Sequence, residues 1–264
     1  MTKNARQPAK NAGKNRARSI IIGIPLFLCC SVLLANCAGF QRSLLFYPSH
    51  GDHVPRELVP WIREGEIIGY VREVAEPESI WLMLHGNSGQ AAGRTYALPC
   101  FPENAAVYIL EYPGYGQRKG KPASATINAA AKAGFLDLKA RYPDLPVCVA
   151  GESIGTGPAS FLGSLETPPD KIVLVVPFDT LSDLARHHVR YLPVGLLLAD
   201  CWDNGKALST YKGPVDIFAT PHDRITPFSQ AVSLAQKVPH ATFYRMDGGH
   251  NDWSRDGRVR LLYP

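Results

Sequence analysis

The stretch VCVAGESIG, residues 147–155, decides the fold of this chain. Its first four residues are apolar, as in a buried strand, and the pattern G-x-S-x-G follows, leading into small residues that suit a helix. A serine on so sharp a turn needs close approach from the neighbouring backbone, and a glycine two residues to either side leaves that room. The stretch therefore predicts strand, turn and helix, with Ser153 at the turn as a candidate nucleophile.

Two later strand ends carry the groups that would activate a serine. The apolar segment 215–220 leads into Asp223, and the alternating segment 241–246 leads into His250. A serine hydroxyl becomes an effective nucleophile when an imidazole takes its proton and a carboxylate orients that imidazole. The order serine, acid, histidine on successive strand ends predicts a triad of Ser153, Asp223 and His250.

Two other carboxylates compete for the role of the acid. Asp179 follows the apolar segment 171–177, one strand earlier, and is the alternative to Asp223. Asp252 follows His250 too closely to be its partner, and we interpret it as a neighbouring or helix-start carboxylate. The position of Asp223, one strand before the histidine, makes it the preferred acid.

A loop after an early strand predicts the site that would stabilise an oxyanion. The buried-strand segment 80–84 is followed by His85-Gly86-Asn87. One backbone N–H from such a loop and one from the residue after the nucleophile form an oxyanion hole. The predicted donors are Asn87 and Ile154, and we interpret His85 as structural.

Taken together, these motifs resemble the compact α/β-hydrolases of the serine esterase and peptidase type, especially their membrane-anchored or lipoprotein members. The resemblance runs from about residue 45 to the C-terminus and implies an α/β-hydrolase fold, with a mostly parallel central sheet flanked by helices. It implies a mechanism but no particular substrate. It rests on HGN (85–87), EYPGYG (111–116), GESIG (151–155), PHDRITP (221–227) and GGHND (248–252). The family often has Asp-Tyr-Arg-Gly at 111–114, where this chain has Glu-Tyr-Pro-Gly, so we expect no catalytic role there.

The remaining pattern fits one α/β domain over residues 37–264. Segments 66–74 and 107–111 are typical of strands, and 124–141 has the apolar spacing of an amphipathic helix. Residues 180–213 predict a small cap, whose apolar stretch 192–199 either lines an open site suited to small or medium acyl groups or belongs to the core. The adjacent His187 and His188 cannot share a helix face, and no Cys or carboxylate stands at ligand spacing, so we expect no metal site. We also expect no cofactor.

Residues 1–36 predict an export signal or membrane segment. Residues 1–18 carry six cations and no acid, and residues 19–35 are almost wholly apolar. Cys37 ends a sequence similar to the lipobox of bacterial lipoproteins, although Asn36 is unusual before the cysteine. The alternative is an uncleaved signal anchor, because an almost wholly apolar segment of 17 residues can just span a bilayer. Both place the domain outside the cytoplasm, in a bacterial cell envelope.

Charge and cysteine content bear on the possible partners and disulfide bonds of the protein. The net charge is +5, but removing the six leader cations leaves 22 basic and 23 acidic residues, a net charge of −1. We therefore expect no nucleic-acid partner. Beyond the leader and Cys37, three cysteines remain, and a bridge between Cys100 and Cys201 is an open alternative.

These observations favour a serine hydrolase that cleaves an ester or related acyl bond of a small-molecule substrate through an acyl-enzyme. Peptidase, amidase and thioesterase activities use the same groups and stay open. A catalytically silent envelope protein that keeps the fold for binding is the alternative from another class. The oligomeric state does not follow from the sequence.

Overall fold

The computed structural model describes residue 39 and residues 42–188 and 200–263. The predicted export segment 1–36 and the lipidation candidate Cys37 lie outside the described residues. The described residues from Arg42 onward form one compact unit. The predicted domain limits, 1–36 and 37–264, stay predictions.

A central sheet organises the described part of the chain. Its eight strands lie in the order β10-β9-β8-β7-β4-β6-β3-β2, and a small parallel pair joins β1 to β5. The strands from β10 to β6 pair in parallel, whereas β3 and β2 are antiparallel. The strands are β1 (Tyr47–Pro48), β2 (Val59–Arg63), β3 (Glu66–Arg72), β4 (Ser79–Leu84), β5 (Ser88–Gly89), β6 (Ala105–Leu110), β7 (Val147–Glu152), β8 (Ile172–Val175), β9 (Val215–Ala219) and β10 (Thr242–Arg245). All strands predicted from the sequence are present, with bounds within two residues of those expected.

Both faces of the sheet are covered, which explains why its central strands are continuous apolar runs. Every residue of β4, β6 and β7 is buried. Successive side chains of a strand point to opposite faces. Accordingly, Leu82 and Leu84 pack into one apolar cluster, whereas Trp81 and Met83 pack into another on the opposite face.

Helices cover the cluster that contains Leu82. They are α1 (Ser124–Arg141), α2 (Thr156–Gly163), α3 (Leu181–His188), α4 (Asn204–Leu208) and α5 (Phe228–Lys237). Helix α1 begins and ends at the predicted residues. Its buried positions recur at helical spacing, from Ile127 through Ala131 to Phe135 and Leu138. On the opposite face, the second cluster is covered by the 3-10 helices Ala91–Cys100 and Trp253–Arg255 and by the C-terminal residues.

The predicted cap segment 180–213 contains helices α3 and α4, with residues 189–199 outside the described part of the chain. Its apolar stretch 192–199 lies among those undescribed residues. Among the described residues, no helix is long and apolar enough to span a membrane. Cys100 is a buried free thiol that donates to the carbonyl oxygen of Ser254, so the bridge left open with Cys201 is not formed.

Candidate active site

Ser153 lies on the sharp turn between β7 and α2. Its φ is +54°, a left-handed conformation that a residue with a side chain rarely adopts. A Cβ at Gly151 would lie 2.6 Å from the carbonyl oxygen of Gly155, and one at Gly155 would collide with the backbone of Leu84. Both glycines of the motif are therefore required by close backbone contacts, as the sequence pattern predicts.

The structure brings the three predicted triad side chains together. His250 Nε2 lies 3.0 Å from Ser153 Oγ, and His250 Nδ1 lies 2.7 Å from Asp223 Oδ2. The side chains of His250 and Asp223 are only 8% and 2% exposed. Because the carboxylate can only accept, Nδ1 carries the proton and Nε2 is left to accept the proton of the serine hydroxyl.

Backbone donors fix the acid. Asp223 Oδ1 accepts hydrogen bonds from the N–H groups of Ile225 at 2.8 Å and Thr226 at 2.7 Å. The Thr220 hydroxyl donates to the carbonyl oxygen of Gly248 at 2.7 Å, which ties the acid loop to the histidine loop. The carboxylate therefore meets the imidazole in one fixed orientation.

The two competing carboxylates have other partners. Asp179 Oδ2 accepts from Lys237 Nζ and from Ser233 Oγ, both at 2.6 Å, which ties the loop after β8 to helix α5. Asp252 Oδ2 accepts from the backbone N–H of Gly249 at 2.8 Å and so stabilises the turn that carries His250. In the described part of the chain, neither carboxylate is hydrogen-bonded to the imidazole.

The predicted oxyanion donors lie on either side of the serine. Ile154 occupies the 3-10 turn Ser153–Gly155, where the first N–H groups of a helix have no intrahelical acceptor. Asn87 lies between β4 and β5, and within the described ranges its N–H makes no hydrogen bond. A Cβ at Gly86, next to Asn87, would lie 3.7 Å from Ser153 Cβ, so the loop runs directly beside the nucleophile.

His85 is buried and belongs to the support of this loop. Its Nδ1 donates to the carbonyl oxygen of Gly86 at 2.8 Å, and its ring stacks on Tyr112 with centroids 4.1 Å apart. Burial lowers the pKa of His85 below its ordinary value, so the ring is kept neutral despite Glu111 nearby. This position agrees with the structural role expected from the sequence.

Sequence reasoning missed a buried carboxylate beside the nucleophile. Glu152 is 7% exposed and receives hydrogen bonds from the Tyr96 hydroxyl and the Trp253 indole. The only signal in the sequence is an acidic residue at the end of an apolar strand. Its partners lie 56 and 101 residues away along the chain, so no local pattern identifies them.

The parallel sheet, its strand order and the turn at Ser153 are those of the α/β-hydrolase fold, and this is the fold of the chain. An esterase of Pyrococcus furiosus has a similar structure, with a TM-score of 0.61 at 16% identity, over 78% of this chain and 91% of the esterase.

Curated sequences also include relatives, although no protein-family model matches the chain. An uncharacterised protein of Mycobacterium tuberculosis (strain H37Rv) is 27% identical over 264 residues, covering 93% of each chain. Lysophosphatidylserine lipase ABHD12 of Macaca fascicularis is 32% identical over 137 residues, which are 47% of this chain and 34% of the lipase. The match thus spans about a third of that lipase.

Proposed function

We propose that this protein is a serine hydrolase that cleaves carboxylic esters through an acyl-enzyme. The observation that carries the proposal is the hydrogen-bonded series from Ser153 Oγ through His250 to Asp223, at a turn where the serine has φ of +54°. Similarity to an esterase and to a lipase supports ester bonds as the substrate class.

The geometry suggests two half-reactions. Ser153 Oγ attacks the ester carbonyl carbon while His250 Nε2 takes the hydroxyl proton, and the N–H groups of Asn87 and Ile154 hold the oxyanion. His250 then gives that proton to the leaving alcohol as its C–O bond breaks, leaving the acyl group on Ser153. Water attacks the acyl-enzyme with the same proton transfers, which releases the acid and restores the serine hydroxyl.

Amides, peptides and thioesters would use the same groups, so a substrate panel is needed to separate them. The panel should pair each ester with the thioester and the anilide of the same acyl chain. The panel should also include lysophosphatidylserine, a monoacyl ester, because the name of the Macaca fascicularis relative gives it as that protein's substrate. Faster turnover of anilides than of esters would assign the protein to the peptidase and amidase alternative.

We further propose that the enzyme is held in a bacterial cell envelope by its N-terminus, through lipid on Cys37 or an uncleaved signal anchor. The support is the basic and apolar sequence of residues 1–36. Cell fractionation of wild type and Cys37→Ser distinguishes the two. Loss of the variant from the membrane fraction indicates lipidation, whereas retention indicates an anchor.

Labelling with a fluorophosphonate probe tests the mechanism, using wild type and Ser153→Ala side by side. Labelling of wild type alone would show an activated serine at position 153. Ser153→Ala should also reduce ester turnover by several orders of magnitude while the fold survives, about 10⁶-fold in a comparable triad. A folded wild type that neither labels nor turns over any ester would favour the silent binding protein.

A further inference from the structure

The Glu152 carboxylate is contacted by groups from three segments of the chain around the proposed active site. The Tyr96 hydroxyl lies 2.8 Å from both carboxylate oxygens, and Trp253 Nε1 lies 3.1 Å from Oε1. The backbone N–H of Gly86 donates to Oε2 at 3.4 Å, and Arg94 Nη1 lies 4.0 Å from the same oxygen. Every one of these groups donates to the carboxylate or neutralises it.

Two of these partners belong to segments with different parts in the proposed reaction. Glu152 itself precedes the nucleophile Ser153. Gly86 precedes the proposed oxyanion donor Asn87, and Trp253 lies three residues after His250. One side chain therefore connects the nucleophile, the oxyanion loop and the histidine loop, which are far apart in the sequence.

A carboxylate at this place is not the simplest way to fill the core. Burying a charge removes it from water at a large cost in free energy, and an apolar residue of similar size avoids that cost. Here the cost is offset by charge-assisted hydrogen bonds from an indole, a phenol and a backbone N–H. Such bonds have strict geometry, so they fix the relative positions of their partners in a way that apolar contacts do not.

The packing makes the connection stiff. Trp253 is 1% exposed, and its ring meets that of Tyr96 edge to face with centroids 5.9 Å apart. Burial raises the pKa of Tyr96, and the neighbouring Glu152 raises it further, so the hydroxyl stays protonated and able to donate. A shift of Trp253 would be passed to His250 through only two intervening residues.

We propose that Glu152 is a positioning residue. It holds Ser153, the oxyanion loop and the His250 loop in the relative positions that the reaction needs. The inference rests on the proposed hydrolysis. Removing the carboxylate should let these loops move relative to one another without removing any reacting group. Misplacement of reacting atoms by about 1 Å can reduce a rate by about 100-fold.

Three conservative variants test this. Glu152→Gln keeps the shape but removes the charge and one acceptor oxygen, Trp253→Phe removes the indole N–H, and Tyr96→Phe removes the hydroxyl. The matched control is Trp81→Phe, because Trp81 is fully buried in the same apolar cluster and its indole N–H has no partner among the described residues. For each protein we would measure the fluorophosphonate labelling rate, kcat and KM for p-nitrophenyl butyrate, and Tm.

We expect Glu152→Gln to reduce kcat and the labelling rate by about 10- to 100-fold with KM within about twofold. Trp253→Phe and Tyr96→Phe should reduce them by smaller factors. The double variant Glu152→Gln/Trp253→Phe should be no slower than Glu152→Gln alone, because both changes break one connection. Trp81→Phe should lower Tm without changing the labelling rate.

A folded Glu152→Gln variant that labels at the wild-type rate, with only Tm lowered, would overturn the inference and leave the proposed function intact. Equal losses of labelling rate in Trp81→Phe and Trp253→Phe would also overturn the inference. If Glu152→Gln does not fold, the comparison of these two variants is the test. Failure of the wild type itself to label would instead count against the proposed function.

Discussion

The backbone N–H of Tyr47 donates to the carbonyl oxygen of Asn87 at 2.9 Å. The Tyr115 hydroxyl donates to the same oxygen at 2.7 Å, and the Asn87 side-chain amide donates to the carbonyl oxygen of Leu45 at 3.0 Å. With its carbonyl held from two sides, the Asn87 peptide has a fixed orientation. Residues near the start of the described chain thus hold the loop that is proposed to bind the oxyanion.

Asn87→Ala tests whether turnover depends on the main chain or on the side chain of this loop. The variant keeps the proposed N–H donor and loses only the hydrogen bond to Leu45. We expect a free energy of unfolding lower by about 1 kcal/mol. Turnover should fall by less than about tenfold, well short of the 10²- to 10³-fold effect of removing an oxyanion donor. Denaturant unfolding and ester kinetics measure the two effects, and a loss of 100-fold or more would mean that the side-chain amide itself binds the oxyanion.

The choice between two acids can be tested by paired substitutions. Asp223→Asn replaces the carboxylate that orients His250 and should reduce kcat by about three to four orders of magnitude. Asp179→Asn breaks the contacts with Lys237 and Ser233 and should reduce stability by about 1 to 3 kcal/mol while kcat stays near wild type. Both are measured by ester kinetics and urea unfolding. Equal loss of kcat in the two folded variants would return Asp179 to the role of the acid.

Stability should depend on pH through His85. Burial lowers the pKa of His85 in the fold below its ordinary value of 6.5, so the unfolded chain takes up this proton first as the pH falls. The stability contributed by neutral His85 is therefore complete above about pH 6.5 and is lost as the pH falls toward the lowered pKa. Burial is the largest cause of the lowered pKa; Glu111 and the Gly86 carbonyl raise this pKa in part, and the charge of Arg94 lowers it further.

His85→Gln removes this titration and keeps a polar side chain. The urea midpoint of wild type should fall more than that of the variant between about pH 8 and about pH 5.5. All other ionisable groups are the same in the two proteins, so the difference between them isolates position 85. Parallel losses in the two proteins would show that His85 makes no contribution to the pH dependence.

The sequence predicted seven of the ten strands in the described part of the chain, and the meeting of Ser153, Asp223 and His250, for a simple physical reason. Parallel strands end at the same edge of a sheet, so residues that follow successive strands converge there. Order along the chain was enough to prefer Asp223 to Asp179. Each motif spans only a few residues, so the strands and the triad residues could be recognised without any knowledge of tertiary contacts.

Other features could not be predicted because their causes are not local. The pairing of β1 with β5 involves two residues in each strand. The 3-10 helix Ala91–Cys100 includes Pro99 and has a weak apolar pattern, so it does not look helical in the sequence. Glu152 and Trp253 meet only because the whole sheet places them together.

At Ser153, two substitutions can distinguish the effect of losing the hydroxyl on turnover from the effect of the backbone conformation on stability. Ser153→Gly and Ser153→Ala both remove the hydroxyl and should both abolish turnover. They differ in backbone preference, because a non-glycine residue in the left-handed region, as at φ of +54°, costs about 1 to 2 kcal/mol. Glycine avoids that cost but loses about 0.5 to 1 kcal/mol through the greater freedom of the unfolded chain. We therefore expect Ser153→Gly to be more stable than Ser153→Ala by up to about 1 kcal/mol, or about 2 to 4 °C in Tm.

Ser160 provides the internal control for this comparison. It is buried within the regular helix Thr156–Gly163, where glycine is less favourable than alanine by about 1 kcal/mol. Ser160→Gly should therefore unfold at a lower temperature than Ser160→Ala, the reverse of the order at Ser153. If alanine were the more stable residue at both positions, the left-handed turn at Ser153 would contribute no strain. A reversed order would show that the hydroxyl is held at this turn at the expense of stability.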